Sequence, residues 1–153
     1  MNTLTYENLH ETKKHVSFQF PYNTYLCSIP LDFTQVPLHW HNDVEIIVIK
    51  KGCGIISVDT EPRAVKAGDI ILVRPGQLHS ISQHEKASME YENILFQSSL
   101  LYSADSDPRT VGYFQPYFSL EYELPWLFDD TCFFHEALSS CIDAIDDLCS
   151  KRP

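Results

Sequence analysis

The chain has 153 residues, 44% of them hydrophobic and 21% charged, which is the composition of a single globular domain and excludes a disordered tail. A formal net charge of −10, with 11 Lys and Arg scattered as pairs such as Lys13-Lys14, Lys50-Lys51 and Lys151-Arg152, excludes a phosphate-gripping surface on this segment. No apolar run reaches the ~20 residues of a membrane helix, residues 1–8 lack the basic-then-apolar order of a secretory signal, and Cys27, Cys53, Cys132, Cys141 and Cys149 form no CxxC pair, so a cytoplasmic protein with reduced thiols and no membrane contact is expected.

Residues 18–27 are aromatic and β-prone, with Pro21 restricting that strand to an edge or a bulge. Residues 44–49 (VEIIVI) form a β-branched run of the kind buried on both faces. Gly52-Cys53-Gly54 predicts a turn, residues 55–59 a return strand, and residues 59–62 a further turn. Residues 64–65 and 70–73 read as strands around Gly68-Asp69, and residues 90–97 close the set. Short strands with close turns predict a mainly β protein: a sandwich, jelly roll or small barrel.

Beyond Ser98 the pattern becomes helical. Residues 98–103 suit one short turn, and the aromatic stretch 105–125 wraps the barrel. Asp130 or Thr131 can N-cap a helix running to about Ser150. On that helix Phe134, Leu138, Cys141, Ile145 and Leu148 recur at steps of four and three, with Glu136, Asp143, Asp146 and Asp147 largely off the stripe. Such a stripe either packs on the barrel or forms a seam between two subunits.

The chemistry concentrates in His39, His41, Glu45 and His79. In an extended strand residues two apart share a face, so His39 and His41 project together while Trp40 faces the other way, toward the N-terminal segment or the helices. Glu45 has the same parity. Imidazole nitrogens and a carboxylate oxygen are ligands for zinc, nickel, iron or manganese; the reading preferred over a bound metal is that the four line the pocket as polar groups bonded to one another, to water or to a ligand. Arg74 offers a guanidinium for a carboxylate or phosphate, or else pairs with a surface acid. Tyr22, Tyr25, Tyr91 and Phe96 are candidate aromatic walls or ordinary core. His10, His15, His84 and His135 have no partner at ligand spacing, and no role is expected of them.

The stretch 39–52 (HWHNDVEIIVIKKG) resembles the first cupin motif, and 68–79 (GDIILVRPGQLH) resembles the second. Phe33, Arg74 and Gln83 stand where the motifs usually carry Gly, Pro and Asn. The resemblance implies a double-stranded β-helix barrel, a jelly roll, with all four metal-binding positions filled. A closer resemblance covers nearly the whole chain. Residues 37–45 (PLHWHNDVE), the 68–81 segment, Leu95-Phe96-Gln97 with Leu100-Leu101, and Leu124-Pro125 before an acidic last helix are similar to the N-terminal domains of AraC-type transcription regulators.

That resemblance implies an arm over residues 1–17, a cupin barrel over 18–97, and a flanking helical segment over 98–153, with the helix-turn-helix DNA-binding half lying outside this sequence. It implies a binding module rather than an enzyme. A small-molecule effector, a sugar or related metabolite, occupies a pocket formed by His39, His41, Glu45, His79, Tyr25, Arg74 and Tyr91. The protein forms a homodimer through the last helix, touches DNA only through the absent domain, and requires no cofactor. The alternative is a stand-alone cupin enzyme, a dioxygenase or sugar isomerase, working through a divalent transition metal on the four-residue set.

Overall fold

The computed structural model describes residues 3–16, 22–102 and 107–151. Helix α1 (Thr3–Asn8) precedes seven strands: β1 (Tyr22–Ile29), β2 (Gln35–His39), β3 (Val44–Val58), β4 (Glu61–Lys66), β5 (Ile70–Val73), β6 (His79–Gln83) and β7 (Met89–Phe96). A 3-10 turn (Ser98–Leu101), a π-helical turn (Thr110–Phe114), α2 (Gln115–Phe118), β8 (Leu127–Phe128) and α3 (His135–Ser150) follow. One antiparallel layer has the order β1-β7-β3-β5-β8, and a second pairs β4 and β6 with β3, and β2 with β6. This is a mainly β cupin fold with a C-terminal helix. The expected first strand begins at Tyr22, since residues 18–21 fall outside the described set, as do 103–106 of the wrapping segment.

The two layers share β3. Its residues 44–52 pair with β7 and, in part, β5; residues 53–58 pair with β4 and β6. The turn predicted at Gly52-Cys53-Gly54 is therefore a bend inside one continuous 15-residue strand. A register shift between Ile49 and Lys51 supplies the bend, and Gly52 adopts φ +73. A Cβ at Gly52 would overlap the Ser88 carbonyl, so only glycine lets β3 change layers there. The true reversal falls at Asp59 and Thr60, both left-handed at φ 49 and 67.

Strand alternation then sorts the side chains. Ile47, Ile49, Ile56, Val58, Val73, Ile81 and Tyr91 fill the barrel interior, while Val48, Ile70 and Ile94 face outward beneath α3. The 44–49 run is buried on both faces because the helix covers its outer side. The helix starts at His135 rather than Asp130 or Thr131, because the Asp129 carboxylate accepts from the Thr131 amide at 3.0 Å and closes a separate turn first. His135 has a structural role after all: its Nε2 meets the Gly68 carbonyl at 2.7 Å.

The predicted stripe divides between two faces. Leu138 packs against the outer cluster and Ile145 is half-buried, but the anchor is Ile142, 2% exposed, which the stripe omitted. Cys141 is exposed, and Phe134 and Leu148 are 39% and 70% exposed. A polar latch extends this contact. Lys50 Nζ lies 3.0 Å from Glu92 and 3.5 Å from Asp146, and Thr24 donates to Glu92 at 2.9 Å.

Two outcomes follow from this docking. Ile142→Ala should cost about 2–4 kcal/mol through the cavity it leaves, and Leu148→Ala under about 0.5 kcal/mol, by thermal or urea unfolding. In the latch, partial burial and then the adjacent Glu92 push the Asp146 carboxyl up to about 6. The folded state thus holds a proton that the unfolded chain releases, a stabilisation complete below the ordinary aspartate value and lost as pH rises through about 6. Burial pushes Glu92 up, but its hydrogen bonds to Asp146, Lys50 and Thr24 outweigh this and hold it below the ordinary glutamate value, so its own window lies at lower pH. Asp146→Asn should raise Tm by about 2–4 °C or less at pH 8 and have little effect near pH 4, in melts recorded across that range.

Candidate ligand site at the barrel mouth

Glu45 projects into the barrel from β3 and is 3% exposed. His79 opens β6 and sits opposite His39, the last residue of β2. His41 follows the bridge at Trp40, and its carbonyl accepts from the Gly76 amide at 2.9 Å, tying it to the Pro75-Gly76 turn. The ligand atoms of His39, His41, Glu45 and His79 lie within 4.8 Å of one another. All four predicted residues meet.

Each histidine is held by its other nitrogen. Nδ1 of His39, His41 and His79 lies 2.7, 3.1 and 2.9 Å from the carbonyls of Pro37, Asp43 and Gln77. An Nδ1–H donated to a carbonyl leaves the Nε2 lone pair for the centre, the orientation that metal-binding histidines adopt. Yet Nε2 of His41 and of His79 lie 2.9 and 2.8 Å from the same Glu45 oxygen. Two lone pairs facing a carboxylate repel, so a cation is needed there: added protons or a metal ion. The donor set fits a divalent transition metal, which His39, His41, Glu45 and His79 would hold as a Lewis acid.

The electrostatics agree. Burial pushes Glu45 up, but the His79 and His41 imidazoles outweigh it and hold the carboxyl well below the usual carboxylate range. Burial lowers His41, yet its hydrogen bond to Glu45 and that charge leave it raised overall. His39 moves the other way, lowered by burial and then by His79.

Two further residues come from the arm. Glu11 Oε2 lies 2.8 Å from His15 Nε2 and 3.7 Å from His39 Nε2. The His15 ring stands 5.8 Å from that of His41 and 5.6 Å edge-on to Tyr25. His15, expected to have no role, thus sits beside the site. The one local signal was the Glu11/His15 spacing, in a segment without strand or helix periodicity. His10 stacks on Trp40 at 4.2 Å, and Tyr6 stacks on it at 4.6 Å. Trp40 Nε1 donates to the Tyr6 carbonyl at 2.7 Å, so it does pack against the N-terminal segment.

Between arm and barrel lies a cleft of about 1050 Å³ whose walls include His10, Glu11, His15, Tyr22, Asn23 and His41. Tyr25 borders the site through His15 and accepts from the Asn23 amide at 3.0 Å. Arg74 is 5% exposed, and its Nη1 donates to the carbonyls of Tyr117 and Tyr122 at 3.0 and 3.1 Å, pinning the wrapping segment. It borders a separate cleft with Asp59, Tyr122 and Trp126 rather than the cleft at His41. Tyr91 is also not a wall of the cleft. It is 0% exposed in the interior core, opposite Cys27 in the pairing of β1 with β7. Phe96 packs in the outer cluster.

Residues 31–130 match the family described as the AraC-like ligand binding domain. The chain belongs to this family. It is 28% identical over 123 residues to the Uncharacterized HTH-type transcriptional regulator YdeC of Bacillus subtilis, covering 80% of this chain and 41% of that one, so it spans less than half the relative's length. Among solved structures it is similar to a cupin protein from Bacteroides fragilis (24% identity, TM-score 0.49, 55% and 72% of the two chains). It is also similar to a cupin 2 conserved barrel domain protein from Salinispora arenicola (20% identity, TM-score 0.46, 53% and 67%). In this AraC-like domain the arm is held chiefly through Trp40. Trp40→Ala removes two ring contacts, each worth ~0.5–1.5 kcal/mol, and should speed trypsin cleavage at the exposed Lys13-Lys14 about tenfold.

Proposed function

We propose that this chain is the effector-sensing domain of an AraC-type, HTH-containing transcription regulator. A small polar molecule, a sugar or related metabolite, binds in the cleft between the arm and the barrel. The observation that carries this reading is that residues 10–16 of the arm form one wall of the cleft while His41, Tyr22 and Asn23 form the other. A ligand touching both walls favours the docked arm, and it shifts the population of docked and released states only by its different affinity for the two.

Four of the assigned pocket residues, His39, His41, Glu45 and His79, bind a divalent cation at the floor of this cleft, and Tyr25 supports its rim. The anchoring of the three Nδ1 atoms favours this cation over a set of purely hydrogen-bonding groups. The domain dimerises through the outer face of α3, where Ala137, Cys141, Ala144 and Leu148 are exposed at steps of four and three, with Phe133 (96% exposed) just before the helix. DNA is bound by a domain beyond this sequence.

The test is a thermal-shift screen of sugars and small metabolites on the chelator-stripped and metal-loaded protein. An effector at 100 times its Kd stabilises by about 2.7 kcal/mol, a rise of roughly 5–10 °C in Tm. The shift should disappear in His41→Ala and shrink in Asn23→Ala. No hit from the screen, or a hit indifferent to both variants, would place sensing elsewhere. Turnover of a hit with iron or manganese, abolished in His41→Ala, would instead establish the metal-dependent enzyme reading that the same donor set allows.

A further inference from the structure

The arm's position is fixed by its backbone rather than by loose apposition. The Trp40 amide donates to the Leu9 carbonyl at 3.0 Å, and the Glu11 amide donates to the Trp40 carbonyl at 2.8 Å, around a parallel bridge between His10 and Trp40. Tyr6 adds an anchor, its hydroxyl donating to the Gly76 carbonyl at 2.7 Å. Trp40 turns its ring to Tyr6 and His10, while its neighbours His39 and His41 turn to the site. The register that docks the arm therefore delivers the Glu11 carboxylate to the same side as His39.

That carboxylate lies 3.7 Å from His39 Nε2. Two donors on one ion, each at about 2.1 Å, stand roughly 3.0–4.2 Å apart, so Glu11 is at ligand distance from His39, and it stands just outside the cluster that His39, His41, Glu45 and His79 form, from which an ion would draw it inward. A dication among three neutral imidazoles and one carboxylate keeps a net positive charge, and in a half-buried setting a second carboxylate is strongly attracted to it. His15 Nε2 lies 2.8 Å from the same Glu11 oxygen and so fixes where that carboxylate sits.

We propose that Glu11 is an additional, arm-borne ligand for the divalent cation held by His39, His41, Glu45 and His79, so that loading the cation docks the arm. This rests on the four-residue cation site proposed above and adds to it a physical link from the barrel to the N-terminal segment. His15 is the positioning residue of that link.

Trypsin reads the arm directly, because Lys13 and Lys14 are exposed between Glu11 and His15. The chelator-stripped chain is titrated calorimetrically with manganese or nickel and digested in parallel, with a peptide substrate controlling for any effect of the metal on trypsin. The expected result is one equivalent bound and at least tenfold slower cleavage at Lys13-Lys14 in the loaded protein. Glu11→Gln should melt like the parent without metal, bind about 10–100-fold more weakly, and lose the protection; His15→Ala should show a smaller loss of both. Metal binding to the parent with unchanged cleavage, or a Glu11→Gln variant as tightly bound and as protected as the parent, overturns the role of Glu11 and leaves the four-residue site standing. No metal binding to the parent overturns both.

Discussion

One strand belongs to both layers of the barrel, and almost every other feature depends on how it bends. β3 changes partners at a register shift beside Gly52, where a left-handed backbone and the absence of a Cβ let the chain pass against the Ser88 carbonyl. Because one strand continues through the bend, its first half directs Glu45, Ile47 and Ile49 inward and its second half directs Ile56 and Val58 into the same interior. The barrel is closed by apolar side chains beneath the buried Glu45 carboxylate. A turn at that point, the arrangement the glycines suggest locally, would have separated the two layers and left Glu45 without His79.

A buried carboxylate is costly unless positive or donating groups surround it. Glu45 meets this condition through two imidazoles, one from the segment between β2 and β3 and one from β6, each anchored from behind by a carbonyl two residues away. The anchoring makes the site stiff, and stiffness suits a centre that must hold a cation in one geometry. The polar cleft meets this site at His41, and the barrel interior is filled by Tyr91 and its neighbours.

The helical part of the chain is joined to the outer side of the barrel by packing and by a few polar contacts. Ile142 and Leu138 seat α3 on the outer side of the strands whose inner side carries Glu45 and Ile47, and the Lys50–Glu92–Asp146 latch holds its later turns. Arg74 plays the matching part for the wrapping segment, its guanidinium spanning two backbone carbonyls. The helix covers the outer face of β3 and β7, while the arm docks on Trp40, beside the segment that leads into β3.

The sequence by itself determined the mainly β barrel, the inward parity of His39, His41 and Glu45, their company with His79, and the existence of a last amphipathic helix. All of these are local: alternation at period two, spacing within a motif, apolar residues at steps of three and four. The tertiary structure decided what locality cannot express. Leu138, Ile142 and Ile145 obey the same steps as the stripe through Cys141 and Leu148, and only contact with Val48, Ile70 and Ile94 chooses between them. Glu11 and His15 lie in a segment with no periodicity, and they reach the site because Trp40 pairs with Leu9 and Glu11 across some thirty positions of chain. Arg74 turns away from the cleft because carbonyls more than forty residues downstream take its donors. Side-chain periodicity reports which face of an element is apolar, whereas partners that meet only on folding leave no periodic trace, and those partners built the arm's side of this site.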